Sequence, residues 1–261
     1  MMTDVHFAEL HALLDAEAAR YNRPEFIEAD PVQFPRRFTD PRDIEIVSLL
    51  ASTVAWGNRK MICRSCEGML ALMEHQPYRY VMERGYEDLP PRDNIHRTFF
   101  TDNLSHYLRG LREVYSRHGS LEAFAADAIG RAGTRDCAPW TVAAALGDTL
   151  AAASGGCRDS RCLPQNLRTS ALKRFNMALR WLVRRDGIVD LGIWRTALAP
   201  SELYIPLDVH VGNVSRDLGL VSRKANDRRT VEELTAELRR MRPDDPVYYD
   251  FALFGIGVTK D

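Results

Sequence analysis

Apolar residues return every three or four positions along most of this chain, the period of a helix with one buried face. The run VHFAELHALLDAEAARY sets Phe7, Leu10, Leu13 and Leu14 on one such stripe. A proline-punctuated stretch, YNRPEFIEADPVQFPRRFTDP, interrupts the pattern. Asp40 is then placed to cap PRDIEIVSLLASTVAWG, with Gly57 as its end or a kink. Further helices are predicted over RKMICRSCEGMLALMEHQP, FFTDNLSHYLRGLREVYSRHG, LEAFAADAIGRAG, APWTVAAALGDTLAAASGG, RTVEELTAELRRM and YYDFALFGIGV. Alternation of period two is confined to short, ambiguous runs. The fold class expected is therefore all-α, without internal repeats.

The most amphipathic helix is predicted over 169–185. Leu172, Phe175, Leu179 and Leu182 form its apolar stripe, while Lys173, Met177, Arg180 and Arg184 share another face, flanked by Arg174 and Arg185. Such cations either meet solvent or track phosphates. Lys173 lies in the first turn, the unfavourable end of the helix dipole for a cation, which suits an amine that must act as a nucleophile. A second segment, IPLDVHVGNVSRDLGL, puts Asp208 at the mouth of an apolar helix. Asp is a preferred N-cap, so a structural role competes with a chemical one. His210 reads as a structural histidine more readily than as a metal ligand.

Composition narrows these options. At 261 residues, 45% of them hydrophobic, the chain can bury a substantial core as one large or two small domains. We expect no signal peptide, no membrane span and a cytoplasmic protein with reduced cysteines. Cys63/Cys66 and Cys157/Cys162 offer a loosely spaced four-thiolate zinc site, which we set aside. Net charge is −1, yet Arg168 to Arg242 carries 15 Lys/Arg against 9 Asp/Glu, a basic region that suits a polyanion.

Pro206, Leu207, Asp208, Val209, His210 and Val211, followed by Leu218, Gly219 and Leu220, resemble the signature of the helix-hairpin-helix DNA glycosylase superfamily, which includes endonuclease III-like enzymes. Lys173 and Arg180, with 35 residues from Lys173 to Asp208, are similar to the basic pair of the archaeal 8-oxoguanine glycosylase branch. Asp250 and Phe254 are similar to that branch's base-contacting aspartate and aromatic. LLASTVAWGNRK resembles the superfamily's early helix and its lesion-facing loop. WGNRK, KRFNM, IPLDVH and YDFALFGIGV together resemble an uncharacterised, mainly bacterial family, over most of the chain.

The resemblance implies two helical lobes with a helix-hairpin-helix element and a cleft between them. Residues 41–185 would form a central helical barrel with the hairpin, and 1–40 plus 186–261 the second lobe. It implies a DNA glycosylase with AP-lyase activity, acting on a damaged base such as an oxidised purine. Lys173 would be the nucleophile and Asp208 the electrostatic and basic group. Asp250, Phe254, Trp56 and Asn58 would meet the base, and Arg59, Lys60, Arg174, Arg180 and Arg184 the DNA phosphates. The partner would be DNA or another nucleic acid, bound by a monomer without cofactor or metal. Two departures stand out: no glycine lies between Leu163 and Lys173, and the four-cysteine iron–sulfur pattern is absent. A non-catalytic helix-hairpin-helix nucleic-acid-binding protein is the alternative, and a metal-dependent hydrolase built on Asp208 and His210 a third reading.

Overall fold

The computed structural model describes residues 4–258 and is all-α but for one short ribbon. In chain order the helices are α1 (Asp4–Tyr21), α2 (Pro24–Ala29), α3 (Pro41–Thr53), α4 (Arg59–Leu72), α5 (Pro77–Met82), α6 (Thr101–His118), α7 (Leu121–Ala132), α8 (Ala138–Ala153), α9 (Lys173–Val183), α10 (Val209–Asp217), α11 (Arg228–Met241) and α12 (Asp250–Val258). Strands β1 (Asn94–His96) and β2 (Phe99–Phe100) form an antiparallel pair between α5 and α6.

The helix starts follow capping chemistry. Asp40 Oδ1 accepts from the Arg42 amide at 2.9 Å, with Pro41 in the first turn. Asp227 caps α11 and Ser120 caps α7 in the same way. On α1 the buried stripe is Leu10, Leu14 and Ala18, whereas Leu13 is 42% exposed. The expected stripe was one residue too wide because Leu13 and Leu14 lie about 100° apart on a helix.

Helices α6, α7 and α8 pack together, and α9 lies against α3 and α8. Gly110 allows the α6–α8 approach: a Cβ there would come within 2.8 Å of the Leu150 backbone. Elsewhere α12 packs against α1 and α10, and Gly255 faces the Tyr21 ring where a Cβ would lie at 2.1 Å. Buried polar groups tie distant segments together. Glu45 on α3 accepts from the amides of Leu121 and Glu122 at the start of α7 and from the Trp194 indole at 2.9 Å. Burial pushes its carboxyl above the ordinary range, and these donors hold it down.

The chain leaves α8 at Ala153 and passes through successive turns from Ser154 before α9 begins. Leu172, the last residue before α9, has φ +53°, the left-handed region that favours glycine. Its side chain is buried, and its amide donates to Ser170 Oγ. The left-handed step into α9 is thus taken by a leucine held in the core.

Candidate active site

Helix α9 starts one residue later than its strained entry, so Lys173 is its first residue. Asp208 precedes α10 in extended conformation, and its Oδ1 accepts from the Val211 amide at 3.0 Å. Its other oxygen, Oδ2, lies 3.7 Å from Lys173 Nζ. The two readings of Asp208 are therefore compatible: one oxygen caps a helix and the other faces an amine. Neither side chain is sequestered, at 26% exposure for Lys173 and 36% for Asp208. At 3.7 Å the contact is an ion pair, longer than a hydrogen bond, and leaves both groups room to engage a third. Beside it, Ser52, Thr53, Tyr107, Leu172, Lys173 and Arg174 help line a crevice of about 210 Å³.

The remaining cations of α9 have different surroundings from those expected. Arg180 and Arg184 are buried, with 4% and 3% exposure, and do not form a phosphate-tracking face. Arg180 donates through Nε to Asp190 Oδ1 at 3.2 Å and through Nη1 to Asp250 Oδ2. Arg184 donates to Asp245 at 2.8 Å, Asp186 at 2.6 Å and Asp190 at 2.8 Å. Burial opposes the charge on both guanidiniums, yet the surrounding carboxylates outweigh it and raise both pKa values. Asn176 and Ala178–Val183 are buried too, so α9 is enclosed nearly all round after its first turns. Arg174 donates to the Thr53 carbonyl at 2.7 Å and lies over the Trp56 ring at 5.1 Å, and burial lowers its pKa.

Much of the basic region is likewise satisfied internally. Arg223 pairs with Asp227, Arg228 with Glu232 and Arg240 with Glu237. Arg216 and Arg239 donate to backbone carbonyls. The charge excess read from the sequence is therefore not an equally basic surface.

Asp250 opens α12 and is buried against Arg180. Its carboxyl is pushed up to about 6, first by burial; Arg180 and Lys173 oppose the rise and Asp208 adds to it. Asp250 thus lies within electrostatic reach of both members of the Lys173–Asp208 pair. Phe254, one turn on, meets Phe26 edge-on at 5.7 Å, and the Arg59 guanidinium lies over its ring at 4.6 Å. Trp56 packs edge-on against His96 at 4.7 Å and accepts the Arg174 stack, so it is engaged within the protein. Asn58 is exposed and caps α4, its Oδ1 accepting from the Lys60 amide at 2.9 Å; Lys60 is exposed beside it.

One further group was not foreseen. Asp30, in the proline-punctuated stretch, caps the short 3-10 turn Pro31–Gln33 through its Oδ1 and the Val32 amide at 3.0 Å. Burial raises its carboxyl, while the Val32 amide, Arg180, Arg59 and Lys173 pull it down. The Asp-Pro pair was a visible capping signal; its nearness to Lys173, 143 positions away, was not.

Among the described residues no three His, Cys, Asp or Glu side chains converge as metal ligands. All five cysteines are free thiols. Cys66 is buried on α4, while Cys162 donates to the Asn103 carbonyl at 3.2 Å. No described helix is long and apolar enough to cross a membrane.

Residues 30–259 match the model of a family described as protein of unknown function (DUF2400), and the chain belongs to that family. No curated protein and no solved structure matches the chain.

Proposed function

We propose that this protein is a DNA base-excision glycosylase with AP-lyase activity, in which Lys173 is the nucleophile and Asp208 its electrostatic and basic partner. The observation that carries the reading is the Lys173–Asp208 pair. Two residues far apart in sequence meet at the starts of two helices, with 3.7 Å between Nζ and Oδ2 and both side chains partly open. Arg180 is buried and paired with carboxylates, and Arg174 is committed to the Thr53 carbonyl and the Trp56 ring, which leaves Lys173 as the available amine of α9. The motif likeness around Asp208 adds weight from the sequence side.

In this reading the sugar C1′ of an extruded nucleotide takes its place beside the pair. Extrusion costs a few kcal/mol, offset by contacts in the pocket. As the C1′–N bond breaks, positive charge develops on the sugar and the Asp208 carboxylate stabilises it. Lys173 gives up its ammonium proton to solvent as the nucleotide enters, and the free amine adds to C1′. Asp208 accepts the proton that the adding nitrogen sheds, and the base leaves carrying a proton from solvent. The C1′–O4′ bond then breaks as Asp208 returns its proton to O4′, which leaves a protonated imine between C1′ and Lys173. Asp208 takes up a C2′ proton, the 3′ phosphate leaves with its bonding pair, and water hydrolyses the product imine to free the lysine. Asp208 remains fixed throughout by the Val211 amide on its other oxygen. Asp250 and Phe254, one turn apart on α12, form the base-facing wall, with Arg180 as the positioning residue for Asp250. The enzyme acts as a monomer in the cytoplasm, without a cofactor.

The test is strand cleavage and base release on single- and double-stranded DNA carrying 8-oxoguanine, uracil or an abasic site. The expected result is cleavage after β-elimination, lost in Lys173→Gln and slowed in Asp208→Asn. DNA binding without release or cleavage on every substrate would favour the non-catalytic nucleic-acid-binding reading.

A further inference from the structure

We propose that Arg59 is a specificity-determining residue: its planar guanidinium occupies the stacking place of the extruded base on Phe254, and only a flat base that presents N–H donors to Asp30 and Asp250 displaces it. The inference rests on the function proposed above and deepens it. Its geometric basis is one cluster assembled from three parts of the chain. Arg59, the first residue of α4, lies over the Phe254 ring at 4.6 Å. Phe26 of α2 closes the ring's edge at 5.7 Å and meets Phe251 at 5.2 Å. Asp250 begins the helix that carries Phe254, and Asp30 follows the helix that carries Phe26. Arg59, Phe254, Phe26 and Asp30 are all partly exposed, so the stack lies at an accessible face and not in the core.

The chemistry follows from what the groups can offer. An aromatic face takes either a planar cation or a nucleobase, and one face cannot hold both. An ionised carboxylate only accepts hydrogen bonds. One oxygen of Asp30 is engaged by the Val32 amide, and one of Asp250 by Arg180. Among the described residues the second oxygen of each has no hydrogen-bond donor, so both remain to read donors on a ring. Asp30 also supplies negative charge near Arg59, which holds the cation in place until a base arrives. A base bearing acceptors where these oxygens lie would leave two carboxylates facing lone pairs, and would not displace the cation.

The experiment uses the full chain and its Arg59→Ala and Asp30→Asn variants, with thermal unfolding to show that each is folded. Two rates are compared: imine trapping on DNA with an abasic site, which has no base to read, and excision of 8-oxoguanine against uracil. Arg59→Ala should shrink the excision ratio between the bases by about tenfold, the scale of one base–aromatic contact, a change larger than any it makes in abasic trapping. Asp30→Asn should slow excision of the donor-rich base and spare abasic trapping. An unchanged ratio in Arg59→Ala overturns the proposal, and so does an equal fall in trapping and excision, which would make Arg59 a phosphate contact. A second readout stands apart from catalysis: binding of 2-aminopurine as the free base, followed by its fluorescence. It should tighten in Arg59→Ala and vanish in Phe254→Ala. If the wild-type protein traps no DNA yet shows this binding pattern, the glycosylase reading fails while the base site stands. Identical 2-aminopurine binding in wild type and both variants sinks the site itself.

Discussion

Helix α9 carries two kinds of cation, and they behave in opposite ways. At its start Lys173 faces a single carboxylate at 3.7 Å, with both partners open to solvent. Two turns on, Arg180 and Arg184 are buried among Asp186, Asp190, Asp245 and Asp250. The buried guanidiniums have their donors committed and are part of the framework. The lysine keeps a single contact, longer than a hydrogen bond, at a partly open site. Within three turns of chain, enclosure decides whether a cation is committed to the framework or stays open to solvent.

The contrast can be broken from either side. The largest effect is expected on activity at the open end: Asp208→Asn should lower cleavage by about 10²–10⁴-fold, the range for a positioned acid–base group. Asparagine is as good an N-cap as aspartate, so stability should shift by well under about 1 kcal/mol. A loss of activity that tracks a large loss of stability would return Asp208 to a purely capping role. At the closed end, Arg184→Met should cost about 3–5 kcal/mol in urea unfolding, because Asp186 and Asp245 lose their cation and Asp190 keeps only Arg180. A nearly unchanged midpoint would show that the network is dispensable.

A smaller, pH-dependent effect sits between the two ends. In the folded protein Asp250 holds its proton up to about pH 6, against 3.8 ordinarily, chiefly because it is buried. Between those values the unfolded chain has lost the proton that the folded chain keeps. The contribution of this carboxyl to stability is therefore fully present below pH 3.8 and is lost as pH rises through about 6. The stability difference between wild type and Asp250→Asn should fall across that window and level off above it. A difference that is flat or rising from pH 4 to 7 would mean that Arg180 has already ionised Asp250. The smallest effect should come from Asn58→Ala, about 1 kcal/mol from a lost cap on α4, with abasic cleavage unchanged. A marked drop in activity would give Asn58 a role beyond capping.

Helical periodicity and capping residues made the all-α fold legible, down to Asp40 and the stripe Phe175, Leu179 and Leu182, although the helix expected over 169–185 spans Lys173–Val183 and Leu172 is buried just outside it. Periodicity says which side chains share a face but not what that face meets. Arg180 and Arg184 therefore read as solvent or phosphate contacts, because their aspartate partners lie in segments with no pattern linking them to α9. Asp30 was hidden for the same reason, in a loop whose capping signal says nothing of its distant neighbours. That Leu172 takes a left-handed backbone before α9 was not legible either, because that conformation is usually signalled by a glycine. Lys173 and Asp208 were legible because each sits at a helix start, where sequence signals are strongest.

The most direct measurement is borohydride reduction of the protein on abasic DNA, followed by peptide mapping of the cross-linked residue. The account predicts a covalent adduct at Lys173, absent in Lys173→Gln even though that variant folds and still binds DNA. An adduct mapped to another amine, or one that persists in Lys173→Gln, would contradict it.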